Sequence, residues 1–276
     1  MRERARASPA RLALIALALA WSLLPIALVV LASVKPPREI FATPPRFVFQ
    51  PTFENYARLW ATAPGFFRSL ANSLIVTIGA TLTTIAFSAL AGYVYARHAS
   101  RLLTATGFFM VVVRMLPPIV ITLPLFPAMN ALGLHDTHLL LILLYAAFYV
   151  SLGTWVMRAF IQRLPRELEE AAFVDGAGLF MVLRRIVLPL AAQGLVAVSV
   201  FVTVFAWNEY VFALIFTTRN AKTAPLAVGE MLGTADGIEW GVLFAAATVQ
   251  LLPVLVAVML LQRYIVAGLT AGAVKS

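Results

Sequence analysis

Long apolar runs alternate with short polar or charged segments along the whole chain. About 20 apolar residues cross the hydrocarbon core of a bilayer as a helix. The runs predict transmembrane helices over residues 12–34, 68–95, 102–129, 139–160, 191–216 and 242–265. Because the runs are continuous rather than alternating, they favour helices over a membrane β-barrel. We therefore predict an all-α fold, a polytopic membrane helical bundle with six transmembrane helices.

The composition supports this interpretation and excludes several functions. Hydrophobic residues make up 62% of the chain and charged residues 12%, whereas ~25% of the residues in a soluble domain are charged. Cysteine is absent, which excludes disulfides, thiolate catalysis and cysteine-ligated zinc. The net charge is +9, but the basic residues are scattered at predicted helix ends without an aromatic-interleaved patch. We therefore expect the lipid bilayer as a partner and no nucleic acid.

The basic residues also predict the orientation. With six spans both termini lie on one side, where Lys and Arg number thirteen, against seven on the other side and Arg114 within the membrane. Cytoplasmic loops carry an excess of Lys and Arg. We therefore expect both termini, and the charged segment 165–194, to be cytoplasmic.

Polar residues at membrane depth are the candidates for lining a pathway. The third run carries Arg114 and four prolines, so we expect a kinked helix that lies among its neighbours or against water. Asn208 and Glu209 interrupt the fifth run. Such groups usually face the interior of a bundle, which makes Arg114, Asn208 and Glu209 candidate pathway-lining residues. The alternatives are a structural ion pair or carbonyl contact for Arg114, and a position near the outer interface for Glu209.

Segment 165–194 is the longest charged segment of the chain. Pro165 suits a first helical position, and three glutamates follow where the helix dipole favours anions. We expect this helix to end in a reversal at Gly176, before a second helical stretch with one apolar face over residues 179–186. The segment therefore predicts a short helical element between two membrane spans. The alternative is an amphipathic helix on the bilayer surface, for which an acidic face is poorly suited.

Residues in this segment carry a resemblance to a known family. They resemble the EAA signature of type I ABC importer permeases at Glu170-Ala171-Ala172, Asp175-Gly176-Ala177, Ile186 and Leu188-Pro189. The chain departs from the pattern at Gln193, where many members have proline. Residues 206–218 and 262–275 are similar to the carbohydrate-uptake branch, in particular the six-span, maltose-type permeases.

The resemblance implies the transmembrane domain of a type I ABC importer, a translocation subunit that is not itself an enzyme. It implies three partners: a dimer of ATP-binding-cassette ATPase subunits, a second homologous permease as a heterodimer partner, and an extracytoplasmic sugar-binding protein. It also implies a bacterial inner membrane location. The residues expected to dock on the ATPase are Glu167, Glu170, Ala171, Ala172, Asp175, Gly176 and Ala177.

Three regions follow from this reading. Residues 1–67 hold the N-terminal cytoplasmic segment, the first helix and an extracytoplasmic loop, residues 68–265 form the permease core, and residues 266–276 form a cytoplasmic tail. No lysine follows a glycine, so the chain has no phosphate-binding loop, and ATP hydrolysis is expected on another subunit. We expect no cofactor and no metal site, since His135, Asp136 and His138 lie on a short loop without a partner cluster.

The alternatives are a secondary transporter or channel and a polytopic membrane enzyme. A secondary transporter or channel would show paired inverted halves and charged coupling residues at the midplane. A polytopic membrane enzyme would carry a cluster of Asp, His or Ser residues. We find neither pattern, and both alternatives leave segment 165–194 unexplained.

Overall fold

The computed structural model describes residues 8–233 and 237–272, and side chains as far as residue 260. All regular structure in this part of the chain is helical. Short helical turns apart, the helices are α1 (Pro9–Ser33), α2 (Glu54–Thr62), α3 (Gly65–Arg97), α4 (Arg101–Met115), α5 (Pro118–Ala131), α6 (His138–Ile161), α7 (Glu167–Val174), α8 (Leu179–Val182), α9 (Leu188–Leu190), α10 (Ala192–Trp207), α11 (Val211–Phe216), α12 (Ala224–Glu230) and α13 (Trp240–Gly272).

Four of these helices, α1, α3, α6 and the described part of α13, are each long and apolar enough to cross a membrane. Two bent pairs pass the same test, α4 with α5 at 96° and the helices 179–190 with α10 at 76°. Six spans result when each bent pair is one span. The all-α polytopic prediction is therefore confirmed for the described residues.

Sequence explains the bend between α4 and α5. The N-cap Ser100 begins α4, since its side chain accepts a hydrogen bond from the backbone N–H of Leu103. The helix stops at Leu116 because Pro117 and Pro118 follow, and Pro118 opens α5 as its first residue. The predicted kink of the third span is confirmed.

The chain forms two compact units. The first unit comprises Met1–Phe66 and Val228–Leu251. In it the buried Asn55 donates hydrogen bonds of 2.8 Å to the carbonyls of Ser33 and Lys35, which fastens α2 to the end of α1. An ion pair of 2.6 Å joins Arg58 to Glu239. The apolar side chains of α1 itself are mostly exposed.

The second unit comprises Phe67–Ala227 and Leu252–Ser276. Its apolar core is contributed mainly by α3, α6, α10 and α11. Small residues let α3 and α6 approach closely: a Cβ added at Gly92 would lie 2.5 Å from Cβ of Met157, and one at Gly153 would overlap the side chain of Ser88. A Cβ at Gly79 would likewise lie 2.6 Å from Cδ1 of Ile142.

Some sequence-based details were wrong or incomplete. Helix α2 was not predicted within the loop after the first span. Pro165 is not the first helical residue of its segment, because α7 begins at Glu167 with Arg166 as its N-cap. Helix α13 continues to Gly272, beyond the predicted span end at residue 265. The boundaries of the three predicted regions stay predictions, and residues 273–276 of the predicted tail lie outside the described residues.

Candidate functional site

The segment 165–194 folds as two short helical pieces joined by a tight reversal. Helix α7 ends at Val174, and Gly176 has a φ of +84°. The N–H of Ala177 donates to the carbonyl of Ala172 at 2.9 Å, and the N–H of Gly176 donates to that of Phe173 at 3.0 Å. This pair of bonds is a Schellman motif, which needs a left-handed residue where the helix ends. The predicted reversal at Gly176 is therefore present.

The second piece leads back to a membrane helix. Helix α8 is followed by a π-helical segment, Leu183–Val187, and by α9. Val182 and Val187 are buried, and the core of the second unit includes both. The chain then bends by 76° into α10. The segment is thus continuous with a membrane helix through a packed apolar joint.

A buried ion pair anchors α7. The Glu169 Oε1 atom lies 2.6 Å from Nη2 of Arg97, and it accepts a second bond from Nε at 2.8 Å. The other carboxylate oxygen accepts a hydrogen bond of 2.9 Å from the Tyr93 hydroxyl. The side chains of Arg97 and Glu169 are only 8% and 7% exposed. Arg97 also donates to the carbonyl of Leu164 at 3.1 Å, so the end of α3 holds both the start of the segment and α7.

The opposite side of the segment is exposed and mixes apolar and acidic groups. We call it the exposed loop face, and it consists of Glu167, Leu168, Glu170, Ala171, Phe173, Val174, Asp175, Gly176, Leu179, Phe180 and Met181. Scattered apolar residues are normal on a surface, but a contiguous apolar patch marks an interaction site. The exposed loop face is therefore a candidate interaction surface.

Most of the predicted docking residues lie on this face. Glu167, Glu170, Ala171, Asp175 and Gly176 are exposed, whereas Ala172 and Ala177 are half-buried at the reversal. Sequence reasoning missed the role of Glu169, which stands beside Glu170 but faces inward. The available signal was the spacing of Tyr93 and Arg97, which lie four residues apart and so share one helix face.

The candidate pathway residues lie in the second unit. Arg114 is in the last turn of α4, and its Nη1 atom is buried without a hydrogen-bond partner among the described residues. Glu209 accepts hydrogen bonds from the backbone N–H groups of Phe212, at 2.9 Å, and Ala213, at 3.3 Å, at the start of α11. Both charges lie within electrostatic range of Tyr149.

Asn208 is exposed and donates to the carbonyl of Val204 at 2.8 Å, where α10 ends. The structure thus brings Arg114 and Glu209 to one neighbourhood, while Asn208 serves the end of its own helix. Their lining of a pathway stays a prediction.

A second anchored loop precedes α6. Asp136 has a φ of +58°. Its carboxylate accepts hydrogen bonds from four successive backbone N–H groups, those of Thr218, Arg219, Asn220 and Ala221, at 2.9–3.2 Å. Burial raises the pKa of Asp136, but these donors outweigh it and hold that pKa well below its ordinary value. We call this arrangement the Asp136 clamp, and it ties the loop before α6 to the turn after α11.

The amino-acid sequence is similar to those of known proteins. A family model described as "Binding-protein-dependent transport system inner membrane component" matches residues 85–271. The trehalose/maltose transport system permease protein MalG of Thermococcus litoralis is 35% identical over 243 residues, which cover 85% of this chain and 87% of that protein. The trehalose transport system permease protein SugB of Mycobacterium tuberculosis is 38% identical over 229 residues, which cover 81% and 82%.

The fold is also similar to a solved structure. That structure is a bacterial ABC transporter involved in the import of the acidic polysaccharide alginate, and a chain of it matches with a TM-score of 0.76 at 21% identity, over 92% of this chain and 95% of that one. The family model and the two permease relatives confirm the family expected from the EAA signature. This chain is a multi-pass membrane protein and belongs to the binding-protein-dependent transport system inner membrane component family.

Proposed function

We propose that this chain is the translocation subunit of an ATP-driven importer for a sugar, and that its exposed loop face docks on a separate ATPase subunit. The observation that carries the docking proposal is the division of segment 165–194, which we call the EAA segment, into two sides. One glutamate, Glu169, is buried in an ion pair, while Glu167, Glu170 and a set of large apolar side chains face outward.

The contacts of the segment suit it to transmit movement. A force on α7 reaches α3 through the ion pair of Glu169 with Arg97, and a force on α8 reaches α10 through the packed residues Val182 and Val187. The Schellman motif at Gly176 keeps the two pieces at a fixed angle. Closure of an ATPase dimer against the segment would therefore move membrane helices rather than only a loop.

Several features support the assembly that we propose. The exposed apolar side chains of α1 suit contact with lipid or with a second, homologous permease in a heterodimer. The excess of Lys and Arg on one side favours cytoplasmic termini and a cytoplasmic EAA segment in a bacterial inner membrane. The relatives named for trehalose and maltose favour a sugar as cargo, delivered by an extracytoplasmic binding protein.

The docking proposal is tested with Phe180→Asp. Phe180 is 72% exposed on the loop face. Burial of a Phe side chain stabilises by ~1.5–3 kcal/mol, so the variant should lower ATPase affinity at least about tenfold. The measurement is the amount of ATPase subunit that co-purifies with the permease. Uptake of radiolabelled trehalose and maltose is measured in the same cells.

The matched control is Phe47→Asp. Phe47 is 79% exposed and precedes α2, on the predicted extracytoplasmic side. This control should retain the ATPase as the unsubstituted chain does. Equal retention by both variants, with both inserted in the membrane, would refute docking at the loop face. If the unsubstituted chain retains the ATPase but takes up neither trehalose nor maltose, the proposal that these sugars are its cargo is refuted.

A further inference from the structure

A small cavity opens beside the turn between α3 and α4, within the second unit. Its volume is about 190 Å³, and its lining includes Tyr95, His98 and Ser100 from the end of α3 and the turn, and Trp155 and Arg158 from α6. Among the described residues that line it, none is acidic. The cavity is separate from the ion pair of Arg97 with Glu169, since neither residue lines it.

Arg158 supplies an incompletely satisfied cation. Its guanidinium carbon lies 4.9 Å from the centre of the Trp155 ring, a cation–π contact. Its Nε atom is buried and has no hydrogen-bond acceptor among the described residues, and no carboxylate of that part of the chain forms an ion pair with it. A buried donor without a partner is costly. Arg158 is also one of the residues that line the cavity, so an anion bound there would lie beside this side chain.

The turn adds further positive potential. Helix α4 has 15 residues, and its N-terminus at Ser100 opens on the cavity. The positive end of a helix dipole favours an anion there. His98 lines the same cavity, and the adjacent Arg101 is exposed as the first residue of α4.

The absence of a side chain at one lining position leaves space for the cavity. Gly107 of α4 is one of its lining residues, and a Cβ added there would lie 3.3 Å from both the Trp155 and the Tyr95 rings. A larger residue at this position would extend into the cavity. The two aromatic rings are of the kind that lies at the level of lipid headgroups, and both belong to helices long and apolar enough to span a membrane.

We propose that this cavity binds the phosphate of an anionic membrane lipid. Arg158 would donate to the phosphate from one side, and the N-terminus of α4 would face it from the other. Basic pockets between transmembrane helices on the cytoplasmic side bind anionic headgroups in this way. The assignment to the cytoplasmic leaflet rests on the orientation given under the proposed function, whereas the binding chemistry does not.

The test uses the full-length chain in neutral detergent, titrated with phosphatidylglycerol or with phosphatidylcholine. Bound lipids are counted by native mass spectrometry. The unsubstituted chain should bind phosphatidylglycerol more tightly than phosphatidylcholine. In Arg158→Gln that preference should fall about fivefold, the effect of one basic charge near a lipid surface. His98→Ala, at an exposed position that lines the cavity, removes the ring N–H donor and should lower the preference in the same direction.

Arg163→Gln is the matched control. Arg163 also lies over an aromatic ring, with its guanidinium carbon 5.6 Å from the centre of the Phe160 ring, but it does not line the cavity. This control should keep the full preference for phosphatidylglycerol. Equal preference in Arg158→Gln and Arg163→Gln would overturn the proposal.

A third arm replaces the lipid with inorganic phosphate. Arg158-dependent binding of phosphate without any preference for phosphatidylglycerol would overturn the lipid as the source of the anion. Because no arm requires the ATPase or a sugar, a loss of transport in Phe180→Asp leaves this result unaffected, and the two proposals fail separately.

Discussion

Two carboxylates fasten loops in the second unit, and they do so with different donors. Glu169 holds the EAA segment through the side chains of Arg97 and Tyr93, in a place with little exposure to solvent. Asp136 holds the turn after α11 through four backbone N–H groups and stays partly exposed. One anchor depends on the identity of its partners. The other depends only on the path of the backbone.

The difference predicts how each anchor fails. Loss of Glu169 leaves the Arg97 cation buried without its counterion, which water cannot readily replace. Loss of Asp136 leaves N–H groups near the surface, where water can take the place of the carboxylate. Removing Glu169 should therefore abolish the anchoring of the EAA segment, whereas removing Asp136 should weaken the anchoring of the turn after α11 only in part.

The largest effect is expected for Glu169→Ala. Breaking a buried ion pair from one side destabilises by roughly 3–5 kcal/mol, which thermal unfolding of the purified chain would reveal as a large fall in Tm. Glu170→Ala, the matched control next to it on the exposed side, should change stability by no more than about 0.5 kcal/mol.

A double variant sharpens this comparison. Arg97→Ala combined with Glu169→Ala removes the orphaned cation and should recover part of the loss, since the two side chains are in contact. Equal Tm values for Glu169→Ala and Glu170→Ala would show that the ion pair does not hold the segment.

An intermediate effect is expected for Asp136→Ala. Unsatisfied donors cost ~1–3 kcal/mol, and partial access of water should place the loss towards the lower end. Asp136→Asn should lose less, because Asn tolerates the positive φ of this position and keeps one acceptor oxygen. Thermal unfolding at neutral pH measures both variants.

The Asp136 clamp should also depend on pH. Its pKa in the folded chain lies below the ordinary value of 3.8, so the clamp stabilises fully above that value, and the stabilisation is lost as pH falls through the lower folded-state pKa. The stability difference between the unsubstituted chain and Asp136→Asn should therefore be full above pH 4 and shrink progressively as the pH falls below that value. A constant separation at all acid pH values would contradict the clamp.

The smallest effect is expected for Tyr93→Phe. This variant removes one hydrogen bond to Glu169 and leaves the ion pair intact, for a loss of about 1 kcal/mol. A loss as large as that of Glu169→Ala would mean that the hydroxyl, rather than Arg97, satisfies the carboxylate. Tm values of the two variants, measured side by side, decide between these readings.

Sequence reasoning predicted what local patterns determine. Apolar runs located the membrane helices, Pro117 and Pro118 marked a bend, and Gly176 marked the reversal in the EAA segment. The motif also identified the acidic and small residues of the exposed loop face, but not its large apolar side chains such as Phe173 and Phe180.

The anchors were not predictable in the same way. Arg97 and Glu169 are 72 residues apart, and Asp136 lies more than 80 residues from its donors. No local pattern pairs such residues, and backbone donors leave no trace in side-chain identity. Which of two adjacent glutamates faces inward was settled only by the helix position relative to α3.

The close approach of α3 and α6 limits where this protein can flex. Gly79, Gly92 and Gly153 contact residues of the other helix that lie a nearly constant number of positions away in the sequence. The two helices are therefore parallel, and their side chains interdigitate. Because the side chains interdigitate, we expect α3 and α6 not to slide along each other but to move together as one rigid body. We therefore expect the second unit to flex at its bends, beside Leu116 and Ala191, and substitutions there to change how far its helices move.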